Sequence, residues 1–139
     1  MRRRRHGRMP MWWTRRTLLT DPQRLGRWGE RKAEQTLRRK GFKTIARNLR
    51  SSLGEIDLVM LDGDGVLVFV EVKTRQDERF QPVEAAVTYA KRLRIRRAIA
   101  GFLRQRRLSG LPMRCDVVAV LLDRDGRSEV RHYENAFVP

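Results

Sequence analysis

Three residues suited to metal and phosphate chemistry lie inside the two most apolar runs of the chain. The segment GEIDLVMLDGDGVLVFVEVKTR, residues 54–75, predicts a β-hairpin around an Asp- and Gly-rich turn, yet it contains Asp57, Glu71 and Lys73. Asp57 lies seven residues before Asp64, and Glu71 lies seven residues after it. A hairpin that turns about Asp64 therefore places the two carboxylates opposite each other, with Cβ atoms about 4.5–5.5 Å apart.

Two carboxylates that face each other reduce stability unless a cation lies between them. Mg²⁺, or Mn²⁺ in its place, suits that position because Mg²⁺ keeps several waters and needs only one or two protein carboxylates beside substrate phosphate. Lys73 follows Glu71 on the same strand face, about 6.6 Å along. There it can orient or deprotonate the attacking water, or neutralise charge on the phosphate. The combination predicts metal-assisted hydrolysis of a phosphodiester bond.

Each of these residues also has a non-catalytic interpretation. Asp57 can end a strand in solvent, and Glu71 and Lys73 can belong to an alternating exposed face. Their occurrence on one predicted face, with Glu30 on a predicted helix as a candidate third carboxylate, favours the catalytic interpretation.

The surrounding sequence predicts the elements that must position this hairpin. A first helix begins near Thr20 or Asp21, with Pro22 at its first turn, and ends at Gly41. A second helix runs from Pro82 to about Arg106. Strands are predicted over 42–50, 55–61, 66–75, 113–123 and 128–137. The order αβββαβ, with one more strand, predicts an α/β fold with a mixed central sheet flanked by helices.

The composition favours a polyanionic partner. The chain has 139 residues, with 32 Lys and Arg against 16 Asp and Glu, a formal net charge of +16 and a pI of about 11.6. Such charge points to nucleic acid first and to an anionic membrane surface second. The single cysteine, Cys115, excludes an intrachain disulfide, and two histidines make a His- or Cys-based zinc site unexpected.

The N-terminal segment is predicted to be a basic arm without regular structure over residues 1–19, ahead of a folded domain over residues 20–139. Its apolar stretches are too short for a signal-peptide core, and no run reaches the ~18 apolar residues of a transmembrane helix, which predicts a cytoplasmic protein. Met9 and Met11 are alternative start positions. The apolar MPMWW, residues 9–13, is a candidate contact for a homodimer.

These motifs resemble a known family. Asp57, thirteen residues, and then the Glu-Val-Lys of residues 71–73 resemble the PD-(D/E)XK nuclease superfamily, whose restriction-endonuclease-like fold includes archaeal Holliday junction resolvases; Ile56 stands where the pattern has Pro. Over residues 26–137 the chain also resembles the bacterial YraN family. The segments that carry this resemblance are GRWGERKAEQTLRRKGFKTIARNLRSSLGEIDLV, LVFVEVKTR, PVEAAVTYAKRLRIRRAIAGFL, CDVVAV and ENAF.

The resemblance implies a role for each residue of the motif. Asp57, Glu71 and the backbone carbonyl of Val72 would bind the metal, and Lys73 would be the catalytic lysine. Glu30 would correspond to the first-helix glutamate of the resolvases, as a further catalytic and metal-binding residue. Branched DNA is the substrate that the resemblance favours, cleaved by a two-fold dimer.

Three functions stay open from the sequence. The first is a Mg²⁺-dependent endonuclease, with DNA preferred; the second is a nucleic-acid-binding protein of nuclease-like fold without catalysis; the third is a small basic RNA- or ribosome-associated protein. Candidate phosphate contacts, for each of which an ordinary surface position is equally open, are Asn48, Arg50, Thr74, Arg75 and, on the basic second helix, Lys91.

Overall fold

A five-stranded mixed sheet forms the centre of the protein in the computed structural model, which describes Leu18 and residues 20–76, 87–108, 110–123 and 125–138. The strands lie in chain order, and β3 and β4 are parallel while all other neighbours are antiparallel. Their bounds are β1 Lys43–Ser51, β2 Gly54–Leu61, β3 Leu67–Arg75, β4 Met113–Leu122 and β5 Ser128–Phe137. With helices α1, Pro22–Arg39, and α2, Tyr89–Arg106, the predicted αβββαβ order and its extra strand are confirmed.

Helix α1 begins and ends where its sequence predicts. The Asp21 side chain accepts hydrogen bonds from the backbone N–H groups of Gln23 and Arg24, at 3.1 and 3.3 Å. Pro22 occupies the first turn, where a missing N–H costs nothing. Gly41 adopts a φ of 96° just beyond the helix, a left-handed conformation that glycine adopts without strain.

Helix α2 begins later than predicted. The expected helix from Pro82 is wrong at Val87 and Thr88, which are not helical, and residues 82–86 lie outside the described residues. Thr88 has extended ψ of 163°, and its hydroxyl accepts the N–H of Lys91 at 3.2 Å, so it is the N-cap of the helix. This cap places Lys91 in the first turn of α2.

The two helices cover opposite faces of the sheet. Since β3 is buried on both faces, its continuously apolar sequence is explained by its central position. The α1 layer contains buried residues of β2, β3 and β4 together with Leu25, Trp28, Ala33 and Leu37 of α1. The α2 layer contains other residues of these strands together with Ile95, Ala98, Ile99 and Phe102 of α2.

The division at residue 19 stays a prediction because residues 1–17 and Leu19 lie outside the described part of the chain, and so does the MPMWW segment. Within the described ranges, none of the helices is long and apolar enough to cross a membrane.

A buried carboxylate on β4, beside Val70 of β3, ties β4 to β5. Asp116 is fully buried, and its oxygens contact His132 Nε2 at 2.7 Å, Arg114 Nε at 3.0 Å and the N–H of Asn135 at 2.9 Å. Burial alone would raise the pKa of Asp116, but these hydrogen bonds outweigh it and hold the pKa below its ordinary value. Ionised Asp116 therefore stabilises the folded protein.

We expect Asp116→Asn to lower the free energy of unfolding at pH 7 by about 3 kcal/mol, because it leaves buried cationic and N–H groups without their charged partner. Since the pKa of Asp116 is lower in the folded than in the unfolded chain, this loss should shrink as the pH falls below about 4. Urea unfolding at pH 7 and pH 3 measures it. Glu129→Gln, which removes an exposed carboxylate paired with Arg131, is the control. An equal loss at both pH values would contradict the assignment.

Candidate metal and phosphate site

The hairpin of β2 and β3 has the register that the sequence predicts, and it opens at the site. The paired residues run from Leu61–Leu67 to Leu58–Val70, which corresponds to a turn about Asp64. The next pair in this register would be Asp57 and Glu71, where the ladder stops. The two carboxylates therefore lie at the point where β2 and β3 separate.

A local twist turns Asp57 into this opening. Ile56 packs in the α2 layer and Leu58 in the α1 layer, although residues two apart in a regular strand share a face. On β1, Asn48 lies between the Arg47–Leu58 and Leu49–Ile56 pairs and has a φ of 47°, a left-handed conformation that Asn tolerates better than most residues. Both strands thus change faces at the position of Asp57.

Asp57 replaces the missing ladder bond with its side chain. The N–H of Val72 donates to Asp57 Oδ2 at 2.8 Å. Because the N–H and C=O of one strand residue project to the same side, the Val72 carbonyl also faces the side on which Asp57 lies. The predicted metal ligands Asp57 and Val72 are thereby brought together.

Glu71 is buried at 4 % exposure and contacts two lysines. Lys73 Nζ lies 3.3 Å from Glu71 Oε1, as expected for residues on one strand face. Lys91, from the first turn of α2, forms a second ion pair with the same oxygen. The structure thus places Lys91 inside the site, whereas the sequence indicated only a phosphate contact on a basic helix.

Burial and like charges shift the proton affinities of these groups. Burial raises the pKa of Asp57 to about 7, and the negative charge of Glu71 acts in the same direction. Burial lowers the pKa of Lys73, and the neighbouring Lys91 lowers it further. Burial also opposes charge on Lys91, but the bond to Glu71 outweighs it and raises the pKa of Lys91. The site therefore combines a carboxyl group poised near neutrality with a lysine that releases its proton more readily than usual.

These groups line an open cavity of about 340 Å³, called here the Asp57 cavity. Glu30 and Gly26 of α1 form its other wall, and Thr74 and Arg75 continue it along β3. A Cβ at Gly26 would meet no heavy atom within 4 Å, so this glycine leaves space beside the carboxylates.

Glu30 lines the cavity, and its negative charge also raises the pKa of Asp57. Its side chain hydrogen-bonds with Asn48, and burial raises its pKa. Among the described residues, no three Asp, Glu, His or Cys side chains converge closely enough to hold a metal ion. The role of Glu30 as a further ligand and catalytic group stays a prediction.

The remaining donors fit a hydrated hard cation. Asp57 and Glu71 are two carboxylates whose mutual repulsion a divalent cation would relieve, and Mg²⁺ or Mn²⁺ binds through such oxygens and retains waters. The Val72 carbonyl supplies a third oxygen on the same side. The positive charges beside Glu71 in this structure are those of Lys73 and Lys91.

The other predicted phosphate contacts surround the site at different distances. Thr74 and Arg75 line the Asp57 cavity, and Arg75 also donates to the Thr74 carbonyl at 3.2 Å. Asn48 is held by Glu30, and Arg50 is exposed, with Glu55 at 3.9 Å. Contact of any of them with phosphate stays a prediction.

Sequence reasoning missed a close contact that fixes α1 over the site. A Cβ at Gly29 would lie 1.8 Å from Thr74 Oγ1, so only glycine allows the helix to approach β3 this closely. The one feature of the sequence that could have indicated this contact is the position of Gly29 directly before Glu30. The contact sets the position of Glu30 relative to β3.

Comparison with known proteins shows one family. The profile of the family described as "Uncharacterised protein family UPF0102" matches residues 29–120. A UPF0102 protein of Pelotomaculum thermopropionicum is 44% identical over 114 residues, covering 81% of this chain and 94% of the relative. A UPF0102 protein of Symbiobacterium thermophilum is 46% identical over 114 residues, with coverages of 82% and 96%. One of Bifidobacterium longum is 39% identical over 118 residues, with coverages of 84% and 94%. These matches confirm the resemblance to YraN, which is this family, and their names state no activity.

We expect Asp57→Asn to stabilise the metal-free protein at pH 8. The pKa of Asp57 is higher in the folded than in the unfolded chain, so its ionisation favours unfolding; the effect begins above about pH 4 and is complete above pH 7. Asn retains an oxygen that can accept the Val72 N–H. Urea unfolding in EDTA at pH 4 and pH 8 measures the difference, with Asp64→Asn in the exposed turn as the control. A variant less stable than wild type at pH 8 would show that ionised Asp57 does not destabilise the folded protein, which would contradict its raised pKa.

Proposed function

The chain belongs to the UPF0102 family, and we propose that it is a divalent-metal-dependent nuclease that hydrolyses phosphodiester bonds in nucleic acid. The observation that carries this proposal is the Asp57 cavity. Its half-buried Asp57 and buried Glu71 carboxylates lie beside two lysines, and one of these lysines has a lowered pKa. A structural ion pair needs neither the second lysine nor an open cavity beside it.

The ion would be held by Asp57, Glu71 and the Val72 carbonyl. When bound, Mg²⁺ or Mn²⁺ supplies Lewis acidity that lowers the pKa of water and offsets charge on the phosphate. Asp57 is oriented for this task by the Val72 N–H, and Glu71 by Lys73 and Lys91.

Lys73 is the residue that we assign to proton transfer. Hydrolysis joins a water oxygen to phosphorus and breaks the bond from phosphorus to the leaving sugar oxygen, so one proton must leave the water and one must reach the leaving group. The lowered pKa of Lys73 suits it to accept or stabilise the first of these protons. Lys91 and Arg75 line the same cavity as cations and would bind the non-bridging phosphate oxygens.

Nucleic acid is the substrate class that the charge of the chain favours. Helix α2 extends from the site and carries seven basic residues without an acidic one: Lys91, Arg92, Arg94, Arg96, Arg97, Arg104 and Arg106. We propose DNA, in branched form, because the αβββαβ order and the Glu-Val-Lys motif resemble the resolvases. Cleavage of two strands by a homodimer in the cytoplasm is part of the same proposal.

One observation favours a second candidate, a nucleic-acid-binding protein without catalysis. Lys73 and Lys91 already neutralise Glu71, and no third carboxylate among the described residues completes a metal centre. In such a protein the same lysines would bind phosphate directly. The two candidates differ in what Lys73 and Glu71 do after binding.

We expect Lys73→Met to reduce cleavage by about 10²–10⁴-fold, the usual contribution of one proton-transfer group, while affinity for nucleic acid changes little. Glu71→Gln should abolish the response to Mg²⁺. The assay incubates labelled four-way junction, flap, duplex and single-stranded DNA with Mg²⁺ or Mn²⁺, and fluorescence anisotropy in EDTA gives the affinities.

Lys43→Met, which removes an exposed lysine of β1, is the matched control and should cleave like wild type. Tight binding without cleavage by the wild-type protein, under either metal, would support the binding protein. Equal cleavage by wild type and Glu71→Gln would show that the site is elsewhere or that the activity is a contaminant.

A further inference from the structure

A second cavity, of about 390 Å³, lies between the β1–β2 turn and the C-terminal half of α2. Leu49, Leu53 and Phe102 give it an apolar lining, and Gly101 of α2 opens into it; it is called here the Gly101 pocket. Leu53 is 47% exposed, so its side chain is accessible to a ligand in the pocket. The size and lining are those of pockets that bind small ligands.

Gly101 itself has no packing explanation. A glycine inside a helix destabilises it by about 1 kcal/mol relative to alanine. At Gly29 and Gly54 a close neighbour requires glycine, since a Cβ at Gly54 would lie 2.1 Å from the Arg94 carbonyl oxygen. A Cβ at Gly101 would meet no heavy atom within 4 Å. Gly26, the other helical glycine with open space around it, lines the Asp57 cavity. The missing side chain at Gly101 keeps a cavity open, as it does at Gly26.

The rim of the Gly101 pocket is cationic. Arg50 and Arg104 stand at its edges, and none of the described residues that line it is acidic. Arg104 makes no ion pair within the part of the chain that the structure describes. The ring of Phe102 in its wall is also contacted by Arg106, whose guanidinium carbon lies 5.5 Å from the ring centroid. A ligand for this pocket therefore combines an apolar body with negative charge.

The Gly101 pocket and the Asp57 cavity both involve β2 and α2. Gly54 in its wall and Asp57 are three residues apart on β2, about 10 Å along the strand. Arg50 at its rim also stabilises the Glu30 carboxylate, which lines the Asp57 cavity. One extended ligand can therefore reach both cavities.

We propose that the Gly101 pocket binds one unpaired nucleotide of the nucleic acid whose phosphodiester bond is cleaved in the Asp57 cavity. The base enters against Leu53 and Phe102, and its phosphates contact Arg50 and Arg104. This deepens the proposed function, on which it rests, because it predicts a substrate with an unpaired nucleotide close to the scissile bond. A base inside a duplex cannot enter such a pocket, so the structure selects branched, frayed or single-stranded sites.

A nucleotide fits better than an acidic peptide. Arginine guanidinium groups bind phosphate in bidentate fashion and also stack on planar bases, and both features are offered at one rim. The basic face of α2 continues the positive surface away from the pocket, as the repeating charge of a nucleic acid strand requires.

Gly101→Leu tests the proposal because its Cβ has open space, its longer side chain extends into the pocket, and leucine has the higher helix propensity, so its thermal midpoint should equal or exceed that of wild type. We expect its affinity for a short single-stranded oligonucleotide, measured by anisotropy in EDTA, to fall about 5- to 150-fold, the loss of one stacked base. Affinity for a blunt duplex of the same sequence should change less than about twofold. A 2-aminopurine placed at the unpaired position should change its emission on binding to wild type and not to Gly101→Leu.

Gly101→Ala, which adds one methyl group and leaves most of the pocket open, is the matched control and should bind like wild type. Unchanged single-strand affinity in Gly101→Leu, or an equal loss for duplex and single strand, would overturn the proposal. So would a wild type that binds poly-glutamate and no oligonucleotide.

Failure of the pocket and failure of the catalytic proposal give different results. Binding in EDTA needs no catalysis, so a pocket-dependent affinity without any cleavage would retain the nucleotide site and overturn the nuclease. Cleavage that is normal in Gly101→Leu on every substrate, with normal affinity, would retain the nuclease and overturn the pocket. Gly26→Leu should obstruct cleavage and leave the 2-aminopurine response intact.

Discussion

The hydrogen bond from the Val72 N–H to Asp57 Oδ2 stands where the ladder between β2 and β3 ends. Without it, the opening of the hairpin would leave a buried N–H group without a partner, which proteins avoid. With it, the Asp57 carboxylate accepts the hydrogen bond that a backbone carbonyl of β2 would otherwise accept. The two strands can therefore separate here without leaving the Val72 N–H unpaired. The Asp57 cavity lies at this opening, and the Val72 carbonyl faces it because the N–H and C=O of one strand residue project to the same side.

Charge balance is the second constraint on the site. The half-buried Asp57 and the buried Glu71 repel each other, and the chain compensates with Lys73 on the same strand and Lys91 from α2. The position of Lys91 depends in turn on the Thr88 cap and on Gly54, which lets the α2 backbone approach the β1–β2 turn. Helix α2 thus connects the Asp57 cavity to the Gly101 pocket, and its basic surface lies beside both.

The sequence predicted the sheet, α1 and the hairpin register because these follow from local signals: strand alternation, the Asp21–Pro22 start, the Gly41 stop and the symmetric spacing about Asp64. It did not predict the start of α2, since a Pro at residue 82 and a Thr at residue 88 both suit a helix N-terminus. Nor could it predict that Lys91 contacts Glu71, or that Gly29 and Gly101 are glycines for opposite reasons. Those facts depend on how elements far apart in the chain pack together.

The most direct test of this account is the binding of Mn²⁺, followed by loss of the free-ion signal in electron paramagnetic resonance. We predict that wild type binds Mn²⁺ at the Asp57 cavity, that Mg²⁺ displaces it, and that Glu71→Gln removes this binding while Glu129→Gln, on the exposed β5, retains it. A wild-type protein that binds no Mn²⁺ with or without an oligonucleotide, or a Glu71→Gln variant that binds it equally well, would contradict the assignment of Asp57 and Glu71 as metal ligands.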